Sequence, residues 1–416
     1  MRSNTQGRNG NMGNGRQNWR DRSHRESHSQ PGMDCPGPLA AHPLASQDPP
    51  VMVTTSRGLA EMIDHLRAAG AFAFDSEFIG ERSYEPHLCL MQTATTQRVF
   101  IVDPLAGLDL SDFWELLACP TVEKIVLAGQ QDFGPAVQRI GRPPANIMDV
   151  QIAAGFIHGE YPLSLARLML EFVGVSLGKG MTFTHWDKRP LSAVQVRYAA
   201  DDVRYLPAAR DIIGKRLADL GRTAWAREEC AAALEDMLLY TSAPQTLYQR
   251  VRGRDRLGRR GLAILRELAI WRDQAAQQED VPMRTLLKDG IVVALARRPA
   301  RTLADLDDIA GLPRPVESKY GQQIVEATAR AMALPEDQLP PAEPSERPSF
   351  GDRVDAIYAD ISQFCQERSI ALSLVASRKD VTRVCRAAAT GQSLAQHRLL
   401  RGWRKELVGD LLEKLM

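Results

Sequence analysis

No run in this 416-residue chain approaches the ~20 consecutive apolar residues that a membrane-spanning helix needs, and the first residues lack the apolar centre of a secretory leader. Both absences point to a protein that stays in the cytoplasm, with no membrane partner. C-x-x-C pairs are missing too. The six cysteines, Cys35, Cys89, Cys119, Cys230, Cys365 and Cys385, stand singly, which argues against a zinc knuckle or a disulfide framework and for reduced, structural thiols. Nor does charge of one sign dominate. Lys and Arg number 52 against 51 Asp and Glu, so the net charge of +1 says little and the distribution along the chain has to be read instead.

What is present is an average soluble composition, 44% hydrophobic and 25% charged, in a chain long enough for two to four domains. Residues 1–50 are rich in Gly, Asn, Ser, Gln and Pro with dispersed arginines, and read as a disordered, weakly basic tail ahead of an alternative start at Met52. From 51 to 220 short apolar runs such as "AFAFDSEF", "LCLMQTA", "RVFIVDP" and "KIVLAG" alternate with helical spacings such as "GLAEMIDHLRAAG". Several strands in succession followed by alternating helices and strands predict an α/β domain with a mixed sheet. Strands then disappear. A connector is expected over 221–254 and a helical module over 255–335, with Leu262, Leu265, Leu268 and Trp271 on one face. A linker over 336–349 belongs to "PEDQLPPAEPSERPS", with five prolines in 15 residues, and a second helical module is expected over 350–416.

The chemistry begins where "AFAFDSEFIG" drives an apolar strand into Asp75 and Glu77. Residues two apart on a strand share a face, so two like charges are held side by side. With 51 acidic residues an acid-x-acid triplet is expected by chance, and surface ion pairing is the ordinary explanation. Context adds weight. Asp132 in "LAGQQDFGPA" follows a predicted strand, and Asp202 in "VRYAADDVRYL" lies four residues after Tyr198, on one helical face with it. Asp201 is a rival at this position. Four converging carboxylates would repel one another unless cations lay between them, and an all-oxygen donor set suits Mg²⁺ or Mn²⁺ better than zinc.

Asp75-x-Glu77, Asp132 and Tyr198-x-x-x-Asp202 resemble the three motifs of the DEDD exonuclease superfamily in its tyrosine-bearing branch, and within it the ribonuclease D family. The flanking "DSEFIGERSYEPHLCLMQTAT", "NIMDVQIAA" and "WDKRPLSAVQVRYAADDVRYL" carry the resemblance over 52–220, and the stretch from "LAIWRDQAAQQEDVP" onward is similar to the HRDC nucleic-acid-binding module. "LVASRKD" and "GWRKELVG" look like a further, diverged helical module of that family. The resemblance implies a ribonuclease H-like fold followed by two all-α HRDC-type modules. Its spacing selects Asp202 over Asp201. It departs from the family at Gly134 and Pro135, which put Asp132 at or just before a helix start, and at His185 ahead of Trp186.

The implied activity is a metal-dependent 3′–5′ exoribonuclease that releases nucleoside 5′-monophosphates and trims the 3′ ends of tRNA precursors as a monomer. The resemblance gives Asp75, Glu77 and Asp202 one divalent ion, Asp75 and Asp132 a second, and Tyr198 the task of orienting the attacking water and helping to remove its proton. A DNA exonuclease of the same fold, or a non-catalytic RNA-binding protein, are the alternatives. For RNA contacts the basic stretch "YQRVRGRDRLGRR" offers Arg250, Arg252, Arg254 and Arg256 against a solvated-linker reading, and Lys179, Trp186 and Arg189 lie nearer the acids, with Trp186 equally suited to the core. Because every acid precedes Ser242, the catalytic part is expected to be separable from the helical modules.

Overall fold

A computed structural model describes residues 39–178, 185–242, 244–341, 351–395 and 397–415. Strand β1 (Val51–Val53) leads into α1 (Ser56–Ala69), where the Thr55 hydroxyl caps the helix start by accepting from the Gly58 N–H. Leu59, Met62, Ile63 and Leu66 fall on its buried face. Gly70, at a φ of 72°, ends the helix in a left-handed turn that releases the chain into β2 (Ala71–Ile79).

Strands β3 (His87–Ala94) and β4 (Val99–Val102) follow as an antiparallel meander, then α2 (Ser111–Leu117), β5 (Glu123–Val126), α3 (Gly134–Ile140), β6 (Ile147–Asp149) and α4 (Val150–His158). The six strands lie in the order β1-β4-β3-β2-β5-β6, and β3 alone runs against its neighbours, so the sheet is mixed as expected. Phe72 and Phe74 of β2 point into a core with α1, α2 and α3, while Ala73 points into a second core on the opposite face. That second layer holds α5 (Leu165–Leu168), α6 (Ala193–Arg204), α7 (Leu206–Asp219) and α8 (Thr223–Ser242).

The register places the site. Ala73 of β2 pairs with Ile125, and β5 ends one residue later, so β2 runs on past the carboxyl end of its neighbour with Asp75 and Glu77 on the α6 side. Across the other edge, Glu77 pairs with Leu90 but Phe78 with Leu88, leaving Cys89 as an extra residue that bends β3 away beside the acids.

The first helical module, α9 (Arg259–Gln278), α10 (Met283–Leu286), α11 (Asp289–Arg297) and α12 (Arg314–Met332), closes round its own core, with Leu262, Leu265, Leu268 and Trp271 buried as the spacing predicts. It touches the sheet domain through the β2–β3 loop, where the Tyr84 hydroxyl donates to Asp273 at 2.7 Å and the Tyr84 N–H to Asp280 at 3.0 Å.

Two expectations change. The second helical module, α13 (Gly351–Glu367), α14 (Leu372–Val375), α15 (Arg378–Ala389) and α16 (Gly402–Leu415), shares the hydrophobic core of the sheet domain's α6 side. Its Trp403, 0% exposed, packs edge-on to Phe156 at 4.7 Å and stacks at 6.2 Å on Trp225 of α8, so the apolar helix faces complete the layer on that side of the sheet. Within the stretch read as a connector, Thr223–Ser242 forms the 20-residue helix α8 that receives this module. Residues 39–50, expected in the tail, also pack here: Tyr205 donates to the Ala40 carbonyl at 2.9 Å and the buried Arg204 to the Ser46 and Asp48 carbonyls at 2.6 and 3.1 Å. Of the proline-rich linker and tail, residues 342–350 and 1–38 lie outside the described residues.

Candidate active site

Asp75, Glu77 and Asp202 bring a carboxylate oxygen each to within 4.8 Å of one another. β2 supplies the first two, and α6 the third. The capping box of Ser192 and Gln195 fixes where α6 begins and hence which of its residues face the sheet. Asp132 sits in the turn between β5 and α3, two residues before the helix, and its carboxylate accepts the Ser76 hydroxyl. Asp75 accepts from the Ser76 N–H and from Gln92 Nε2, the latter at 3.0 Å.

Burial and mutual repulsion act on all four acids in one direction. Desolvation, then the charges of Asp75 and Asp132, push Glu77 up to about 8, and desolvation followed by Asp75 and Glu77 pushes Asp202 up to about 8. Desolvation also raises Asp75 and, with the Asp75 charge added, Asp132, against the hydrogen bonds each receives. Among the described residues no Lys or Arg relieves this crowding. An all-oxygen set so strongly short of positive charge fits a hard divalent cation, and the four acids are the residues that would hold it.

Tyr198 hydrogen-bonds Asp202, and burial followed by the neighbouring carboxylates holds its phenol well above the usual value. Asp201, by contrast, pairs with Arg197 at 2.5 Å and Arg204 at 3.3 Å, so the ion pair draws it away from the cluster that Asp202 joins.

The residues expected to touch RNA divide. Trp186 is 5% exposed and lies 6.2 Å from the Tyr198 ring; it supports the tyrosine from the core and offers no face to a base. Arg189 spends all five N–H groups inside the protein, on both oxygens of Asp103 and the carbonyls of Cys89, Trp186 and Lys188. Lys179 lies outside the described residues. Arg250, Arg252 and Arg256 are exposed and Arg254 half-buried where the chain enters α9. Gln92 and Ser76 were missed, although a glutamine inside the apolar run "LCLMQTA" was a visible signal.

Residues 50–218 match the family model described as 3′–5′ exonuclease, and residues 261–328 match the HRDC domain. A mixed sheet with acids gathered at this edge is accordingly an exonuclease domain, carried here with a helical accessory module. Along its length the chain is 35% identical over 369 residues to ribonuclease D of Gluconacetobacter diazotrophicus, spanning 87% of this chain and 91% of that one. It is 29% identical over 373 residues to ribonuclease D of Escherichia coli, spanning 88% and 98%. The crystal structure of Escherichia coli RNase D, an exoribonuclease involved in structured RNA processing, superposes with a TM-score of 0.76 at 28% identity, covering 88% of this chain and 98% of that one. The chain belongs to the ribonuclease D family.

Proposed function

We propose that this 3′–5′ exoribonuclease works with two divalent ions, Mg²⁺ or Mn²⁺, releases nucleoside 5′-monophosphates from RNA 3′ ends, and trims tRNA precursors as a cytoplasmic monomer. The observation that carries the reading is the approach of Asp75, Glu77 and Asp202 to within 4.8 Å at the open end of β2, with Tyr198 bonded to Asp202. Among the described residues no helix is long and apolar enough to cross a membrane.

Asp75, Glu77 and Asp202 would hold one ion, and Asp75 and Asp132 the other. When bound, the ions supply positive charge to the attacking and leaving oxygens. Water adds to phosphorus and the P–O3′ bond breaks, leaving a 3′-hydroxyl on the shortened RNA and the 5′-phosphate on the released nucleotide. Tyr198, hydrogen-bonded to Asp202, orients the attacking water and helps to remove its proton.

The exposed Arg252 and Arg256, with Arg250 and Arg254 beside them just ahead of the HRDC helices, would take phosphates of a longer RNA. Tyr84 sets that module against the loop that leaves the Glu77 strand. The test is degradation of matched RNA and DNA oligonucleotides labelled at the 5′ end. Stepwise 3′ shortening of RNA with nucleoside 5′-monophosphate release, stopped by EDTA and restored by Mg²⁺ or Mn²⁺, is expected. Degradation that survives EDTA, or that prefers DNA, overturns the reading.

A further inference from the structure

Gln92 lies directly across from Asp75 in the β2–β3 register and is 0% exposed. Its Nε2 donates to Asp75 Oδ2 at 3.0 Å, whereas its Oε1, equally buried, has no hydrogen-bond partner among the described residues. Turning the amide round would not remedy this, because an ionised carboxylate only accepts and must face the NH₂ group. The residue is therefore costly where it stands. A buried acceptor without a donor is destabilising, and the surrounding strand, with Cys89, Leu90 and Met91 buried beside it, is one where an apolar side chain of the same length would pack without that penalty. Stability alone does not account for an amide here. Its one polar contact is with a crowded, buried acid that otherwise accepts only the Ser76 N–H.

We infer that Gln92 is a positioning residue for divalent-ion binding: its N–H holds Asp75 Oδ2 and so fixes the plane in which the carboxylate is presented to Glu77 and Asp202. The inference rests on the reading of the acids as a metal site. Asp75 is the carboxylate both ions share in that reading, so a loss of its orientation weakens the whole site. Ser76 does the matching task for Asp132 through its hydroxyl, but Ser76 also belongs to the strand that carries the acids. Gln92 comes from a different strand and can be altered without touching β2.

The test uses the full chain and MnCl₂, with ion affinity read by calorimetry. Gln92→Met keeps the length of the side chain and removes both polar ends; Gln92→Asn keeps the amide but falls short of Asp75. Each is expected to raise the Mn²⁺ Kd by about 10- to 100-fold. Turnover should fall at limiting Mn²⁺ and recover at saturating Mn²⁺, with KM for RNA unchanged. Ion-free Gln92→Met should melt no lower than the wild type, since the unpartnered oxygen is gone. A merely structural glutamine gives the reverse, a lower melting point with unchanged Mn²⁺ affinity, and that result overturns the proposal. If Gln92→Met does not fold, Gln92→Asn decides by the same affinity. A wild type that takes up no Mn²⁺ defeats the metal reading itself, and is distinguished from failure of the Gln92 role by that control alone.

Discussion

Arg189 grips both oxygens of Asp103, each at 2.6 Å, and its other N–H groups hold the carbonyls of Trp186, Lys188 and Cys89 at 2.8 to 3.0 Å. Three segments are thereby tied together: the end of β4, the extra residue of β3 beside Glu77's partner, and the loop whose Trp186 supports Tyr198. The planar fork is what makes this possible, and lysine cannot copy it. Arg189→Lys should lower kcat by about 10- to 100-fold, about 1.4 to 2.7 kcal/mol in the barrier, and leave RNA affinity within about twofold. Weakened RNA binding with kcat intact would restore Arg189 to the RNA surface.

Asp201 and Asp202 are neighbours with opposite duties, so their asparagine variants should separate activity from stability. Asp202→Asn removes a charge that only cations favour, and turnover should drop by about 100-fold or more while the ion-free fold is kept or strengthened. Asp201→Asn leaves Arg204, only 2% exposed, without its carboxylate and should cost about 1 to 3 kcal/mol of stability with turnover largely retained. Kinetics and melting curves on the two variants check both halves. Equal losses of activity would mean that the ion pair seen at Asp201 does not persist in the working enzyme.

Reading the sequence located the acids because strand parity and helical spacing are local properties. Asp75 and Glu77 announce a shared face by position, whereas helical spacing from Tyr198 left Asp201 and Asp202 as rivals until the family resemblance chose Asp202. Partners are not local. Nothing about Arg189 in "WDKRPLS" reveals that Asp103, 86 residues earlier, waits for it, and so an exposed RNA contact and a buried clamp look alike. The last helices pose the same difficulty on a larger scale: their apolar faces are legible, but whether those faces meet each other or Phe156 and Trp225 is not. Residues 39–50 looked like tail because polar and proline-rich composition masks Leu39, Leu44 and Ala45, which nevertheless join the core.

The pH dependence of stability follows from the direction of the carboxyl shifts. Glu77 and Asp202 titrate near 8 when folded and near 4 when unfolded. Between those values the folded state binds more protons, so ion-free stability falls as pH rises through the window and is greatest at its acid end. The melting temperature of EDTA-treated protein should accordingly decline from about pH 5.5 to about pH 8.5, and added Mn²⁺ should raise it more at the higher pH. Asp202→Asn should flatten the decline. A wild type and variant with parallel profiles would show that the four acids are not crowded as the geometry has them.

The final expectation replaces the idea of a separable catalytic part. A chain ending near Ser242 would keep every acid yet lose the module that fills the groove between α4 and α8. Phe156 and Trp225 would then lose Trp403, and Glu229 its bonds to the Trp403 indole at 2.9 Å and to Arg404 at 2.6 Å. Trp403→Ala alone should cost about 3 to 5 kcal/mol, as truncation of a buried aromatic side chain does. The shortened chain should be aggregated or partly unfolded, and inactive even on short RNA. The HRDC core, which contains no residue of this cluster, should in the Trp403→Ala protein unfold at its own temperature while the exonuclease transition moves down. Calorimetry resolves the two. A soluble, active protein ending near Ser242, melting as the full chain does, would show that the second helical module merely rests on the exonuclease domain.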